Sequence, residues 1–345
     1  MKQVKLFMAE DRVFKILSID GGGMKGLYSA TLIRHLEEKF NCHISNHFDM
    51  LCGTSTGGLV ALALSLNKPA SEICRFYEEE GPKIFYRHFR NSNLNKLSGW
   101  FRQTLWRGKF SDKPLKEALE KVFGEAVIGQ SENLLCIPSY TITEARPWIF
   151  KFDHKEGDLD RDNSTRYVDV ALATTAAPTY FPMAEIESKD RKQFVDGGVW
   201  SNNPSLVGFI EALDYFVGKG KEFNKLQILS VGSLTLSAGK PVGLRRERSF
   251  SSWRDELFET SLSGQSFLTD YFLRKITTVN EISVDYVRIP SPIISPDQAP
   301  LVQLDVATPD AINMLRGKGN DQGELYSKRP EVAEFFKEPK TYSTH

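Results

Sequence analysis

The sequence predicts an α/β protein, with a mostly parallel central sheet carrying helices on both faces. Three observations carry that reading. Short apolar runs of strand length lead into glycine-bearing turns at 20–26, 53–57 and 196–198. Helical periodicity follows the first two of those turns, so strand, loop and helix repeat early, which is how parallel strands come to be covered on both sides. No internal repeat or composition break divides the 345 residues, a length that suits one large α/β domain or two smaller ones.

Taken in order, residues 14–19 read as a buried strand that ends in Asp20-Gly21-Gly22-Gly23-Met24-Lys25-Gly26. Leu27, Ala30, Leu32, Ile33 and Leu36 then recur at helical spacing up to Phe40. A second strand, 48–52, runs into Gly53-Thr54-Ser55-Thr56-Gly57 and an apolar helix from Leu59. Helices are expected at 71–81, at 115–123 behind Ser111-Asp112-Lys113-Pro114, and at 167–177, where Pro178 stops the run. Strands are expected at 133–137, 148–152, 194–195, 226–231 and 285–289. Residues 204–216 and 251–276 read as helices, and 307–317 as a final amphipathic one. Residues 236–250 are Gly-rich and basic, and 290–300 Pro-rich, so both read as loops.

Residues 83–110 stand apart. Lys83, Arg87, Arg90, Lys96, Arg102, Arg107 and Lys109 occur with no acidic residue between them, interleaved with Phe85, Tyr86, Phe89, Trp100, Phe101, Trp106 and Phe110. The plain reading is a loop with inward aromatics and solvated bases. The functional one is a lid or interfacial surface, with rings at headgroup level and bases on lipid phosphates.

Bulk composition narrows the classes. Lys+Arg and Asp+Glu are 44 each, so no global charge points to DNA or RNA duplexes. The four cysteines, Cys42, Cys52, Cys74 and Cys136, have no CxxC spacing and read as reduced, mostly buried thiols. The charged N-terminus has no apolar core of a signal peptide, and no apolar run reaches the ~18 residues of a membrane span. A reducing cytoplasm is the expected compartment.

The turn around Ser55 is G-x-S-x-G between a strand and a helix, the setting of a nucleophile elbow. Acyl transfer by serine needs a base and donors for the developing oxyanion. Gly21, Gly22 and Gly23 can present backbone N–H groups, and Lys25 can add positive charge or stay in solvent. The six histidines, His35, His43, His47, His88, His154 and His345, offer no base at a strand-end turn after the serine. His154 is the one candidate for a triad and reads as an exposed loop residue. Asp196, ending a strand before Gly197 and Gly198, is better placed, although an ordinary Asp pKa of ~3.9 makes a weak base. The plain reading of Asp196 is a turn cap. A phosphate-binding loop is the first competing reading, but G-x-x-x-x-G-K-[ST] is absent. A lipid-binding module without turnover is the second, and the intact Ser55 and Asp196 argue against it.

In that order, residues 20–26, 53–57 and 196–198 resemble the patatin-like phospholipase family. The block 173–178 with Phe181-Pro182 resembles that family's segment before the aspartate. Tyr286-Val287-Arg288-Ile289 and 305–317 resemble the tail of its plant members. The resemblance implies a three-layer α/β/α fold over 1–345, with 236–345 packed on the core. It implies a Ser-Asp dyad of Ser55 and Asp196, a glycine-loop oxyanion hole, and hydrolysis of fatty-acyl esters of membrane phospholipids without metal or other cofactor. Gly53 and Gly57 frame the elbow. Compact members also resemble phospholipase effectors of anti-phage systems that cyclic oligonucleotides switch on and that act at the inner face of the membrane. The basic loop Arg245-Arg246-Glu247-Arg248, near Trp253 and Arg254, suits such an activator, or is simply solvated.

Overall fold

A computed structural model describes residues 12–86, 109–235, 242–243, 246–247, 249–277 and 283–344, without the side chains of 250–252, 254 and 255. Most of the aromatic-basic segment (87–108), His88, His345, Arg245 and Arg248 therefore lie outside the described residues. Eight strands form one sheet: β1 Val13–Ile19, β2 Met50–Gly53, β3 Leu134–Thr141, β4 Arg146–Lys151, β5 Ala184–Ile186, β6 Lys192–Asp196, β7 Lys225–Val231 and β8 Ser283–Ile289. The order is β5-β6-β3-β2-β1-β7-β8, and β4 also pairs with β3. The run β3-β2-β1-β7-β8 is parallel, while β4 and β6 lie antiparallel to β3. The mostly parallel sheet read from the sequence is present, and the short edge strand β5 was not foreseen.

The longer helices among the described residues are α1 Gly26–Phe40, α2 Thr56–Ser65, α3 Ala70–Ile84, α4 Lys113–Phe123, α5 Tyr167–Thr175, α6 Ser205–Glu211, α7 Phe250–Ile276 and α8 Pro309–Ser327. Side chains alternate across a strand, and that alternation separates the layers. Gly208 of α6 rests on Ile16 and Cys52, whereas Gly58 of α2 rests on Ile137, whose neighbour Cys136 is in register with Cys52. Thus α2 and α6 cover opposite faces. The three layers follow.

Two helices differ from expectation. Residues 204–216 divide into α6 and a π turn, Ala212–Phe216. The last helix runs ten residues past Gly317, because Gly319 and Gly323 let α8 press onto Thr31 and His35 of α1. Tertiary contact here overrides the low helix propensity of glycine. The four cysteines are free and three of them buried.

One feature of β3 positions everything that follows. Its residues 136–141 pair with β4, 134–136 with β2, and 139–141 with β6. Both β2 and β6 overlap β4 in register, so they share the other edge of β3. They meet end to end there, β2 finishing at Gly53 and β6 at Asp196, with Ile137 and Pro138 opposite the gap. Two strand ends that are 141 residues apart in sequence between Ser55 and Asp196 are thereby brought face to face.

Candidate active site

Ser55 occupies the turn between β2 and α2 at φ 53°, ψ −127°. A non-glycine residue with positive φ is strained and persists only where the surroundings hold it. The holders are visible. The Ser55 N–H donates to Thr174 Oγ1 at 2.9 Å, and the Thr174 hydroxyl donates to the Pro138 carbonyl at 2.6 Å. Glycine is required on both sides of the turn. A Cβ at Gly53 would lie 2.3 Å from the Gly57 carbonyl oxygen, and one at Gly57 2.3 Å from the Ile19 carbonyl oxygen.

The strained turn aims the serine at the end of β6. Ser55 Oγ donates to Asp196 Oδ2 at 2.6 Å, and Asp196 Oδ1 accepts the Gly198 N–H at 2.7 Å. Asp196 is 2% exposed. Burial raises its pKa to about 7, against the opposing pull of the bonds from Ser55 and Gly198. A carboxylate so placed is a far better proton acceptor near neutral pH than an ordinary aspartate.

The glycine loop arches over the same place. Gly22 and Gly23 line the cleft with Ser55, Thr56 and Asp196. The Gly22 N–H donates to Thr56 Oγ1 at 3.1 Å. The Gly21 N–H is turned to the Asn202 carbonyl at 3.1 Å, which makes Gly21 a strut of the loop rather than a donor to the cleft. Lys25 sits beside Gly22, is only 8% exposed and is not among the residues lining the cleft. Burial lowers the pKa of its ammonium, with the Glu259 carboxylate opposing. Asp20, which opens the loop, is locked by Arg288 of β8 through bonds of 2.8 and 2.5 Å.

The cleft, about 660 Å³ counting its open mouth, is walled by Leu59, Phe76, Tyr77, Ile84, Phe85, Tyr180, Phe181, Phe258, Leu262 and Leu304. Its walls are apolar, with the polar groups gathered at one end, as in sites for apolar ligands. Phe85 and Phe110, the described ends of the aromatic-basic segment, pack with Phe181 on this wall. Lys109 pairs with the buried Asp305 at 2.6 Å, next to Leu304, whose carbonyl accepts the Met24 N–H at 2.7 Å. The end of the segment is thus tied to the glycine loop.

His154 is not the exposed loop residue the sequence suggested. It is 3% exposed, its Nε2 lies 3.1 Å from Glu211 Oε1, and Tyr215 and Phe216 enclose its ring. It follows β4, which runs antiparallel to β3, so it stands at the opposite end of the sheet from Ser55. The reason for its burial is a partner 57 residues away, which no local pattern announces. No motif of their own announces Thr174 and Asn202. Thr174 sits inside the 173–178 block, while Asn202 has no signal beyond its nearness to Asp196.

Comparison with known proteins agrees with the geometry. The family model for patatin-like phospholipases matches residues 17–207. A cGAMP-activated phospholipase of Pseudomonas aeruginosa is 34% identical over 308 residues, covering 89% of this chain and 87% of its own. One of the same description from Vibrio cholerae is 29% identical, covering 94% and 95%. Patatin-like protein 2 of Arabidopsis thaliana is 28% identical, covering 89% and 82%. By sequence match over most of its length and by its sheet, turn and cleft, this chain belongs to the patatin-like phospholipase family.

Proposed function

We propose that the chain is a lipid acyl hydrolase of the phospholipase A type, with Ser55 as nucleophile and Asp196 as base. The observation that carries the reading is the 2.6 Å bond from Ser55 Oγ to a buried Asp196 carboxylate at the polar end of an apolar cleft. Ser55 Oγ attacks the ester carbonyl as its proton passes to Asp196. The oxyanion settles against the N–H groups of Gly23, in the loop that lines the cleft, and of Thr56 at the start of α2, where the helix dipole favours negative charge, while the Gly22 N–H is held by Thr56 Oγ1. Asp196 returns the proton to the departing lyso-lipid oxygen. Water then attacks the acyl-enzyme with Asp196 again as base. The apolar walls suit a fatty-acyl chain. The expected substrate is a membrane phospholipid met at the inner face of the membrane; among the described residues no helix is long and apolar enough to cross it.

Two relatives that span nearly all of this chain are described as cGAMP-activated, which supports a cyclic oligonucleotide as activator and a role in anti-phage defence. Arg246 and Glu247 of the basic loop are exposed, and the rest of that candidate binding segment lies largely outside the described residues. The test is mass spectrometry of products from mixed phospholipid vesicles, with and without a panel of cyclic nucleotides. Release of fatty acid and lyso-lipid by the wild type, lost in Ser55→Ala, is the expected result. Release without any nucleotide, unchanged by the whole panel, removes the activator. Absence of release under every condition removes the hydrolase reading.

A further inference from the structure

Asn202 lines the cleft six residues after Asp196 and is only 5% exposed. Its main chain is fully engaged. The N–H donates to Gln265 Oε1 at 3.2 Å and the carbonyl accepts the Gly21 N–H at 3.1 Å. At one end of the side chain, Nδ2 donates to Ser266 Oγ at 3.0 Å. Which end of an amide is nitrogen must be settled by the network around it, and here the network settles it. Ser266 Oγ stands 3.2 Å from Asp20 Oδ2, and Asp20 is the carboxylate held by Arg288. An ionised carboxylate only accepts, so the single Ser266 proton is committed to Asp20. Ser266 can then only accept from Asn202. The ion pair thereby fixes the amide, two residues removed.

Asn202 Oδ1 must therefore turn away from Ser266, and it has no partner among the described residues. A buried acceptor left empty is unfavourable, and such groups call for an explanation. Its direction can be triangulated. A Cβ built on Gly21 would stand 2.7 Å from Asn202 Oδ1 and 3.0 Å from Ser55 Cβ. One built on Gly198 would stand 3.5 Å from Asn202 Oδ1 and 3.0 Å from Asp196 Oδ1. The empty acceptor thus lies on the same cleft as the nucleophile and the base, with the space over Gly21 and Gly198 common to them.

We propose that Asn202 Oδ1 is the second acceptor for the water that cleaves the acyl-enzyme. The proposal rests on the hydrolase reading above and deepens it. Attack by water needs a base for one of its protons, and an acceptor for the other fixes the direction in which the oxygen lone pair points, which raises the rate. One proton passes to Asp196 as the water oxygen bonds to the acyl carbon. The other is held by Asn202 Oδ1 and stays on the oxygen that becomes the fatty-acid hydroxyl. The tetrahedral intermediate then collapses, the bond from the acyl carbon to Ser55 Oγ breaks, and Asp196 returns its proton to Ser55. Acylation uses no water, so Asn202 serves only the second half of the cycle. Asn202 touches a reacting atom and is in that sense a catalytic residue. Ser266, Asp20 and Arg288 are positioning residues.

The test uses a chromogenic fatty-acyl ester under pre-steady-state conditions, with the activating nucleotide present if one is required. Asn202→Ala retains both main-chain bonds. It is expected to leave the rate of fluorophosphonate labelling at Ser55 within about twofold of wild type. Steady-state turnover is expected to fall on the order of 10- to 100-fold, with a burst of the leaving alcohol that reports accumulated acyl-enzyme. Ser266→Ala frees the amide to rotate and should show a smaller effect of the same kind. Asn202→Asp keeps the shape should the alanine variant fail to fold. It sets a second carboxylate in the cleft with Asp196, the charges next to it among the described residues being the mutually paired Asp20 and Arg288, reached through Ser266, and should move the acid limb of the activity profile up by about one pH unit. Equal loss of acylation and turnover in Asn202→Ala, no loss of either, or an unmoved acid limb in Asn202→Asp overturns the proposal alone. A wild type whose Ser55 neither takes the fluorophosphonate nor releases any alcohol overturns the hydrolase reading and this proposal with it.

Discussion

The two ends of the sheet each bury an acid beside a potential proton partner, yet they are built for different ends. At the amino end, Glu211 holds His154 at 3.1 Å and Lys151 at 2.5 Å. Burial there pushes the Glu211 pKa up, but the two cationic or donating partners outweigh it and hold the carboxyl below its usual range. Nearby, Asp49 accepts three main-chain N–H groups, from Lys15, Thr341 and Tyr342, and so pins the C-terminal tail to the sheet. At the carboxyl end, Asp196 has one hydroxyl and one N–H, and burial wins, lifting its pKa to about 7. By residue type alone, the His-Glu pair looks the more catalytic. By geometry, only the Ser-Asp pair opens on a cleft and has a strained nucleophile. Between Asp196 and Glu211 the difference lies in the partners: a lysine and a histidine hold Glu211 as a fastener, while Asp196 has no cation against it among the described residues and opens on the cleft.

The comparison breaks most sharply on activity. Ser55→Ala and Asp196→Ala are each expected to reduce ester hydrolysis by about 10⁴-fold or more, since members of such a unit fail together. Kinetics on vesicles or a soluble ester read this directly. Retained activity in Asp196→Ala would mean that the carboxyl end of the sheet is not where the proton goes.

Much of this was legible in the sequence. Glycines at 21–23, 53, 57, 197 and 198 mark turns at which chain crowding forbids a side chain, and such a requirement is local, so a one-dimensional reading finds it. The periodicity of α1 and the apolar runs of β1 and β7 are local as well. What escaped the reading is long-range. The burial of His154 depends on Glu211, the extension of α8 on the shape of α1, and the orientation of Asn202 on an ion pair between residues 20 and 288. Each is a contact between segments with no shared pattern, and propensity carries no information about it.

The next largest effect is expected where the carboxyl end is fastened. The Arg288 side chain is 10% exposed and answers the Asp20 carboxylate with two bonds, so Arg288→Met leaves a buried carboxylate without its counter-charge, Ser266 Oγ still donating to it. Removing one partner of such a pair costs about 3–5 kcal/mol. Urea denaturation should register that loss, and the hydrolytic rate of the folded fraction should also fall, because Asp20 opens the glycine loop. A smaller effect separates Asp196 from such fastened acids. Its raised pKa means the folded state holds a proton that the unfolded chain releases from pH ~4 upward. Its contribution to stability is therefore full below about pH 4, declines as the pH rises, and is lost above about 7. Asp196→Asn should match the wild-type unfolding free energy in acid and exceed it above neutrality, by an amount on the order of a few kcal/mol, as read by urea denaturation. Activity of the wild type should rise through pH about 7 as the base form appears.

The smallest effect on catalysis, and the most useful control, belongs to His154. Its Nδ1 accepts the Gly157 N–H at 3.1 Å, so in the neutral ring the proton sits on Nε2 and is donated to Glu211. That tautomer is the one a catalytic histidine oriented by an acid would adopt on the wrong nitrogen, since the nitrogen free to meet a nucleophile is already occupied by main chain. His154→Ala removes a bond to a charged acceptor and opens a space beside Phe216 and Tyr215, at a cost of about 2 kcal/mol. A lower denaturation midpoint with an unchanged rate per folded molecule is the expected pair of results. Loss of the rate at full stability would move the proton relay from the Ser55–Asp196 pair to the other end of the sheet, against the register of β3 and β4 that holds the two ends apart.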